Sequence, residues 1–236
     1  MRILICNDDG MHAAQLIPLI RWARKLGDVT VFVPKVEQSG KSHSFQIREP
    51  FEVKQVELAP DITIWSVDST PADCVRIAVL GMGKEFDLVI SGVNRGLNMG
   101  SDIMYSGTVA AASEGVNLGM KALALSTPPE NYAHATEALD EIWEYIQKRD
   151  LYSYNSFYNV NIPANHKGIR ITRQGGPYYT DDFPAIGNDM YQPKGRPVWT
   201  DAGNDDLDTD ATMHGYITVT PLTIDRTNHK VFEALR

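Results

Sequence analysis

Up to about residue 150, hydrophobic residues fall into short continuous runs separated by stretches with helical spacing. The run from Arg2 to Asn7 predicts a first strand, and Val29 to Pro34 predicts a second, β-branched and ended by proline. Between them a helix is expected around 13–26, stopped by Gly27, with Pro18 compatible only with its first turn. A short strand pair is expected within 44–58 and a further strand at 62–67. Ser69-Thr70-Pro71-Ala72-Asp73 combines a hydroxyl cap, a first-turn proline and an early acid, so a helix should start there. That helix should carry Cys74, Val75, Ile77, Ala78 and Leu80 inward.

A strand at 87–92, a glycine- and asparagine-rich loop at 92–104, a small-residue helix at 107–118 and a strand at 122–126 follow. Residues 132–148 place Ala135, Ala138, Leu139, Ile142, Trp143, Tyr145 and Ile146 on a core-facing helical stripe. Continuous apolar strands alternating with helices indicate an α/β protein with a parallel sheet covered on both faces.

Near residue 155 the pattern changes, giving expectations of a core over 1–150 and a carboxyl-terminal region over 151–236. Strands are expected at 157–162, 168–173 and 215–220. The stretch 175–208 is rich in Gly, Pro, Asp and Tyr with weak periodicity, which suits an arm, a hairpin or a subunit contact. The polar segment 224–236 reads as a short helix or a tail exchanged between subunits.

At 236 residues the chain can bury one sizeable core, and 43% hydrophobic with 22% charged residues is ordinary for a globular protein. The net charge of −8 argues against polymeric nucleic acid as a partner, because no basic surplus is available for a phosphate backbone. No run approaches the roughly 20 apolar residues of a membrane span, and the chain enters a strand without a charged-then-apolar leader. The two cysteines, Cys6 and Cys74, read as small buried hydrophobes in a reducing compartment, so the cytoplasm is expected.

Ligands of open parallel sheets gather at the carboxyl ends of the strands. Here the first strand ends in Asp8-Asp9-Gly10, the second is followed by Glu37-Gln38-Ser39-Gly40-Lys41-Ser42-His43-Ser44, and a third runs into Ser91-Gly92-Val93-Asn94-Arg95-Gly96-Leu97-Asn98-Met99-Gly100. Each segment alone also reads as turn chemistry: an Asx-type turn, a capping serine, a left-handed asparagine. Together they bring carboxylates, hydroxyls and an amide to one rim. Such oxygen ligands suit Mg²⁺ or Mn²⁺, less well Ca²⁺, and not structural zinc. Ser106-Gly107-Thr108 then opens a helix whose first-turn amides could receive a phosphate, or simply be capped. A cation beside an anion-binding helix start is the arrangement that metal-assisted phosphate hydrolysis requires.

In these motifs, and in Thr70-Pro71-Ala72-Asp73-Cys74-Val75, Tyr105-Ser106-Gly107-Thr108-Val109-Ala110-Ala111 and Gly215-Tyr216…Val219-Thr220-Pro221-Leu222, the chain resembles the SurE survival-protein family over nearly its whole length. The resemblance implies a metal-dependent acid phosphatase acting on nucleoside 5′- and 3′-monophosphates, and on short polyphosphate in some members. It further implies a Rossmann-like, doubly wound core and an extended carboxyl-terminal hairpin used in homodimers or homotetramers. Carried over residue by residue, the metal ligands would be Asp8, Asp9, Ser39 and Asn94, with Asp8 and Asp9 also catalytic. The phosphate-side groups would be Gly40, Ser42, Ser106, Gly107 and Thr108, with Asn98 nearby. The chain departs from the family pattern at Met11-His12-Ala13-Ala14-Gln15, where an aromatic residue and Ala-Pro-Gly are usual, so its first helix should start differently.

Two other readings compete with the hydrolase. One is an aspartyl-phosphate phosphotransferase, although its acids are usually separated by one residue. The other is a nucleotide-binding sensor that acts through assembly without turnover. A dinucleotide-dependent oxidoreductase is poorly supported, since no G-x-G-x-x-G follows the first strand.

Overall fold

Alternation along the first strand sends Ile3 and Ile5 into one apolar cluster and Leu4 and Cys6 into another. A strand buried on both faces needs helices on both sides. The computed structural model, which describes residues 1–236, supplies them. The amino-terminal elements are β1 (Arg2–Cys6), α1 (Leu16–Ala23), β2 (Asp28–Pro34), β3 (Val53–Ala59), β4 (Ile62–Val67) and α2 (Pro71–Arg76). The middle of the chain forms β5 (Leu88–Arg95), α3 (Gly107–Asn117), β6 (Lys121–Thr127) and α4 (Tyr132–Lys148). After them come β7 (Phe157–Asn161), β8 (Ile169–Ile171), β9 (Tyr179–Asp182), β10 (Ala185–Gly187), β11 (Met190–Tyr191), β12 (Lys194–Pro197), α5 (Asp208–Met213), β13 (Ile217–Pro221) and α6 (His229–Leu235).

Nine strands form one sheet in the order β3-β4-β2-β1-β5-β6-β7-β13-β8. Its centre is parallel from β4 through β7, and antiparallel pairing enters only at β3–β4 and β7–β13. The order runs outward in both directions from β1, so the crevice beyond the ends of β1, β2 and β5 is the topological switch point. Residues of α1 and α4 pack against one face, and residues of α2 and α3 against the other. The sheet and its covering helices are the Rossmann-like α/β architecture that the sequence predicts. No helix is long and apolar enough to cross a membrane.

Three local differences from the expected elements stand out. Helix α1 starts at Leu16, not near residue 13, because Gln15 lies in the N-cap position and turns its side chain away from the helix. Pro18 then falls in the first turn, where its missing N–H costs nothing. Beyond α2 the helix widens into a single π turn over Ile77–Gly81, which rotates Leu80 outward to 59% exposure. Within 44–58 only β3 forms, paired with β4, while residues 44–52 make no ladder. The stretch 175–208 contains a two-part hairpin, β9 with β12 and β10 with β11, nearly all of it exposed.

Helix α5 has no apolar stripe to announce it and is fixed from outside. Asp208, 1% exposed, accepts from the Gly100 N–H at 3.0 Å and the Gly175 N–H at 2.7 Å, tying the loop after β5 to the base of the hairpin. Gly100 has φ +58°, and a Cβ there would lie 1.8 Å from the Gly176 carbonyl oxygen, so only glycine allows this approach. Asp208→Ala leaves one buried and one half-buried N–H group without acceptors. The expected loss is about 2–4 kcal/mol, read as a fall of roughly 5–10 °C in Tm by calorimetry.

Candidate active site

Asn7 makes the turn that leaves β1: its side-chain amide donates to the Gly10 carbonyl at 3.0 Å and its Oδ1 accepts from the Gly10 N–H at 3.1 Å. The Asx-type turn is therefore real, but Asn7 supplies it and both aspartate side chains remain free for other work. Asp8 is 3% exposed. Its Oδ1 accepts from the Thr108 hydroxyl at 2.6 Å and its Oδ2 from the Thr108 N–H at 3.1 Å, so it sits against the first turn of α3. A Cβ on Gly107 would come within 2.8 Å of the Asp8 Cβ and 2.9 Å of its Oδ2, and the missing side chain is what permits this contact. Burial pushes the Asp8 carboxyl up, and the Thr108 bonds oppose that shift.

Asp9 is half-buried, and its Oδ2 accepts from Gln15 Nε2 at 2.7 Å and from the Arg95 N–H at 3.0 Å. Gln15 also donates to the Val93 carbonyl, so one amide joins the start of α1 to both strand ends. Desolvation first, and then the neighbouring Asp8 charge, push Asp9 up to about 6. No Lys, Arg or His side chain bonds either carboxylate; the Arg95 guanidinium pairs instead with Glu37 at 3.3 Å. Two adjacent, desolvated acids without a counter-cation form a donor set that a hard divalent ion would neutralise.

Asn94 lies at the end of β5, where the pairing with β6 shifts register between Ser91 and Asn94. Its Nδ2 donates to the Gly96 carbonyl at 2.8 Å, which turns Oδ1 toward the Thr108 hydroxyl at 3.4 Å and so toward Asp8. The 37–44 loop hangs from Asp8 as well, through the Gln38 N–H on the Asp8 carbonyl at 2.7 Å. Ser39 is exposed, and its hydroxyl donates to Glu37 at 2.7 Å, not to the aspartate pair. Gly40 is exposed with φ +70°, and Ser42, also left-handed, bonds the carbonyls of Tyr105 and Met104. Ser106 caps α3, its oxygen accepting from the Val109 N–H at 3.1 Å.

Asn98 is drawn the other way. It is buried, its amide donates to Ser126 at 2.8 Å, and its backbone is held by Asn159 and Asn161 of β7. The structure thus gathers Asp8, Asp9, Asn94, Gly107 and Thr108, sets Gly40, Ser42 and Ser106 at the edge of that group, and uses Asn98 to lock the loop behind it. Gln15, Arg95, Glu37 and Tyr132 join the site without any sequence signal beyond their neighbourhood. With Asp9 they line a cleft of about 350 Å³ beside the pair. Asp9 therefore opens onto a space of ligand size, with Asp8 enclosed behind it.

The profile of the family described as "Survival protein SurE" matches residues 3–181. The 5′-nucleotidase SurE of Syntrophotalea carbinolica is 39% identical over 249 aligned positions, which cover 100% of this chain and 96% of that protein. The 5′-nucleotidase SurE of Legionella pneumophila subsp. pneumophila is 36% identical over 249 positions, with 100% and 96% covered. The crystal structure of the SurE protein from Aquifex aeolicus superposes with a TM-score of 0.77 at 32% identity, covering 100% of this chain and 98% of that one. With the sheet order, the aspartate pair at its switch point and relatives matched end to end, this chain belongs to the SurE survival-protein family.

Proposed function

We propose that this chain is a divalent-cation-dependent phosphomonoesterase that hydrolyses nucleoside monophosphates at the rim of β1, β2 and β5. The chain is a phosphoric monoester hydrolase, as its nucleotidase relatives are. The observation that carries the finer reading is the uncompensated pair Asp8–Asp9 pressed against the start of α3. Asp8, Asp9 and Asn94 would hold Mg²⁺ or Mn²⁺, with Ser39 added once its hydroxyl turns from Glu37. When bound, such an ion polarises a phosphate oxygen and acidifies a water.

The residues of the chain do the rest. Thr108 and Gln15 fix the two carboxylates, so the acceptor geometry exists before substrate arrives. Asp9 lines the cleft, and one carboxylate of the pair would orient the attacking water there. Gly40 and Ser42 on one side, and Ser106, Gly107 and Thr108 on the other, flank the place where phosphate oxygens would lie. The 3′-nucleotidase and short-polyphosphate activities belong to the same proposal, as they require only the phosphate half of the site. The exposed side chains of Phe183, Ile186, Met190 and Tyr191 on the hairpin suit a contact between subunits in a homodimer or homotetramer. A cytoplasmic setting accords with two free, buried cysteines.

Phosphate release from a panel of mononucleotides, short polyphosphate and p-nitrophenyl phosphate tests the reading. EDTA should abolish it and Mn²⁺ or Mg²⁺ restore it, and full activity in EDTA would refute the cation. Asp8→Asn and Asp9→Asn should each lower kcat/KM by roughly 10²-fold or more at saturating Mn²⁺. The pH dependence has a defined sign. A carboxyl raised in the folded state above about 3.9 in the unfolded chain binds its proton more tightly when folded, so its contribution favours folding at low pH. That contribution is lost as pH rises through about 6. In metal-free melts from pH 4 to 7.5, wild type should therefore lose Tm relative to Asp9→Asn, and added Mn²⁺ should reverse the loss.

A further inference from the structure

Glu114 is the one charged residue on α3, and its side chain is only 6% exposed. Two nitrogen groups reach it from different parts of the chain. His43 Nε2 lies 2.8 Å from Oε2, and Arg76 Nη1, from the end of α2, lies 2.9 Å from Oε1. The His43 bond, with Arg76 adding to it, holds the Glu114 carboxyl below the usual carboxylate range in spite of burial.

His43 directly follows Ser42, whose N–H donates to the Tyr105 carbonyl at 3.0 Å. The loop carrying Gly40 and Ser42 is therefore fastened to the segment before α3 through Ser42 and to α3 itself through His43. The first turn of the same helix holds Asp8 through Thr108. Thr108 and Glu114 are six positions apart, or about 9 Å along the axis at 1.5 Å per residue. One rigid helix thus sets the separation between the carboxylate half and the loop half of the site.

We propose that Glu114, acting through His43, is a positioning residue that holds the Gly40–Ser42 loop in register with Asp8 for phosphate binding. The proposal rests on the phosphatase reading above. It assigns a purpose to a buried carboxylate that makes no contact with the aspartate pair. His43 is half-buried and lies outside both apolar clusters, so His43→Ala removes the latch without opening the core. For p-nitrophenyl phosphate and for a mononucleotide alike, KM should rise about tenfold while kcat changes less than about threefold. Inhibition by inorganic phosphate should weaken by the same factor.

His43→Gln, which returns a donor to Glu114, should restore most of the KM. Mn²⁺ affinity measured by calorimetry should fall much less than phosphate affinity, because Asp8, Asp9 and Asn94 keep their own partners and only Ser39 lies in the loosened loop. Hydrogen exchange of the 40–44 amides should accelerate in His43→Ala and in Glu114→Gln. An unchanged KM and phosphate inhibition in His43→Ala, or equal loss in His43→Gln, overturns the positioning role. If wild type neither binds phosphate nor releases it, the phosphatase reading has failed instead. The exchange measurement then decides the latch: unaccelerated 40–44 amides in both variants overturn it.

Discussion

The contact between Asp8 and the first turn of α3 is the constraint on which the rest of the site depends. A carboxylate that is almost fully enclosed is tolerable only where donors face it, and Thr108 supplies a hydroxyl and a backbone N–H. The positive end of the helix adds to them. The dependence is mutual. The amide that a free helix start would offer to an outside anion is already turned on Asp8, so the helix acts first on a carboxylate of its own chain. Gly107 must lack a side chain for the two to meet.

A second anion placed directly beside the first is what makes the site reactive in character. Asp9 cannot be satisfied in the same way, because Gln15 and the Arg95 N–H share one oxygen and the Asp8 charge opposes ionisation. The nearest guanidinium is engaged with Glu37. Structural ion pairs are normally completed within the chain. This pair has no side-chain cation bonded to it, and Asp9 faces a cleft.

Around this centre the scaffold removes freedom at each loop in turn. Asn7 shapes the exit from β1, Asn94 the end of β5, and Asn98 with Asn159 and Asn161 pins the glycine-rich loop to β7. Asp208 extends the same device to the base of the hairpin. Buried amides and carboxylates that close on backbone groups specify one loop path, since any other path leaves them unpaired. The hairpin beyond has no such anchors at its tip and exposes its apolar side chains.

The local pattern of residues determined much of this. Runs such as Ile3-Leu4-Ile5-Cys6 can only be strands buried on both faces, the α4 stripe can only be a core-facing helix, and the cap at Thr70 marks its helix without outside help. The gathering of Asp8-Asp9, the 37–44 loop and Asn94 at one rim also followed, because parallel sheets place strand ends together. What tertiary structure alone decided are the interactions whose partners lie far apart in sequence. Gln15 leaving α1 for Asp9, Glu114 reaching His43, Asn98 turning from the phosphate side into the scaffold, and α5 forming under Asp208 are all of this kind. Hydrogen-bond complementarity of that sort depends on distances between elements, and no periodicity or motif encodes a distance.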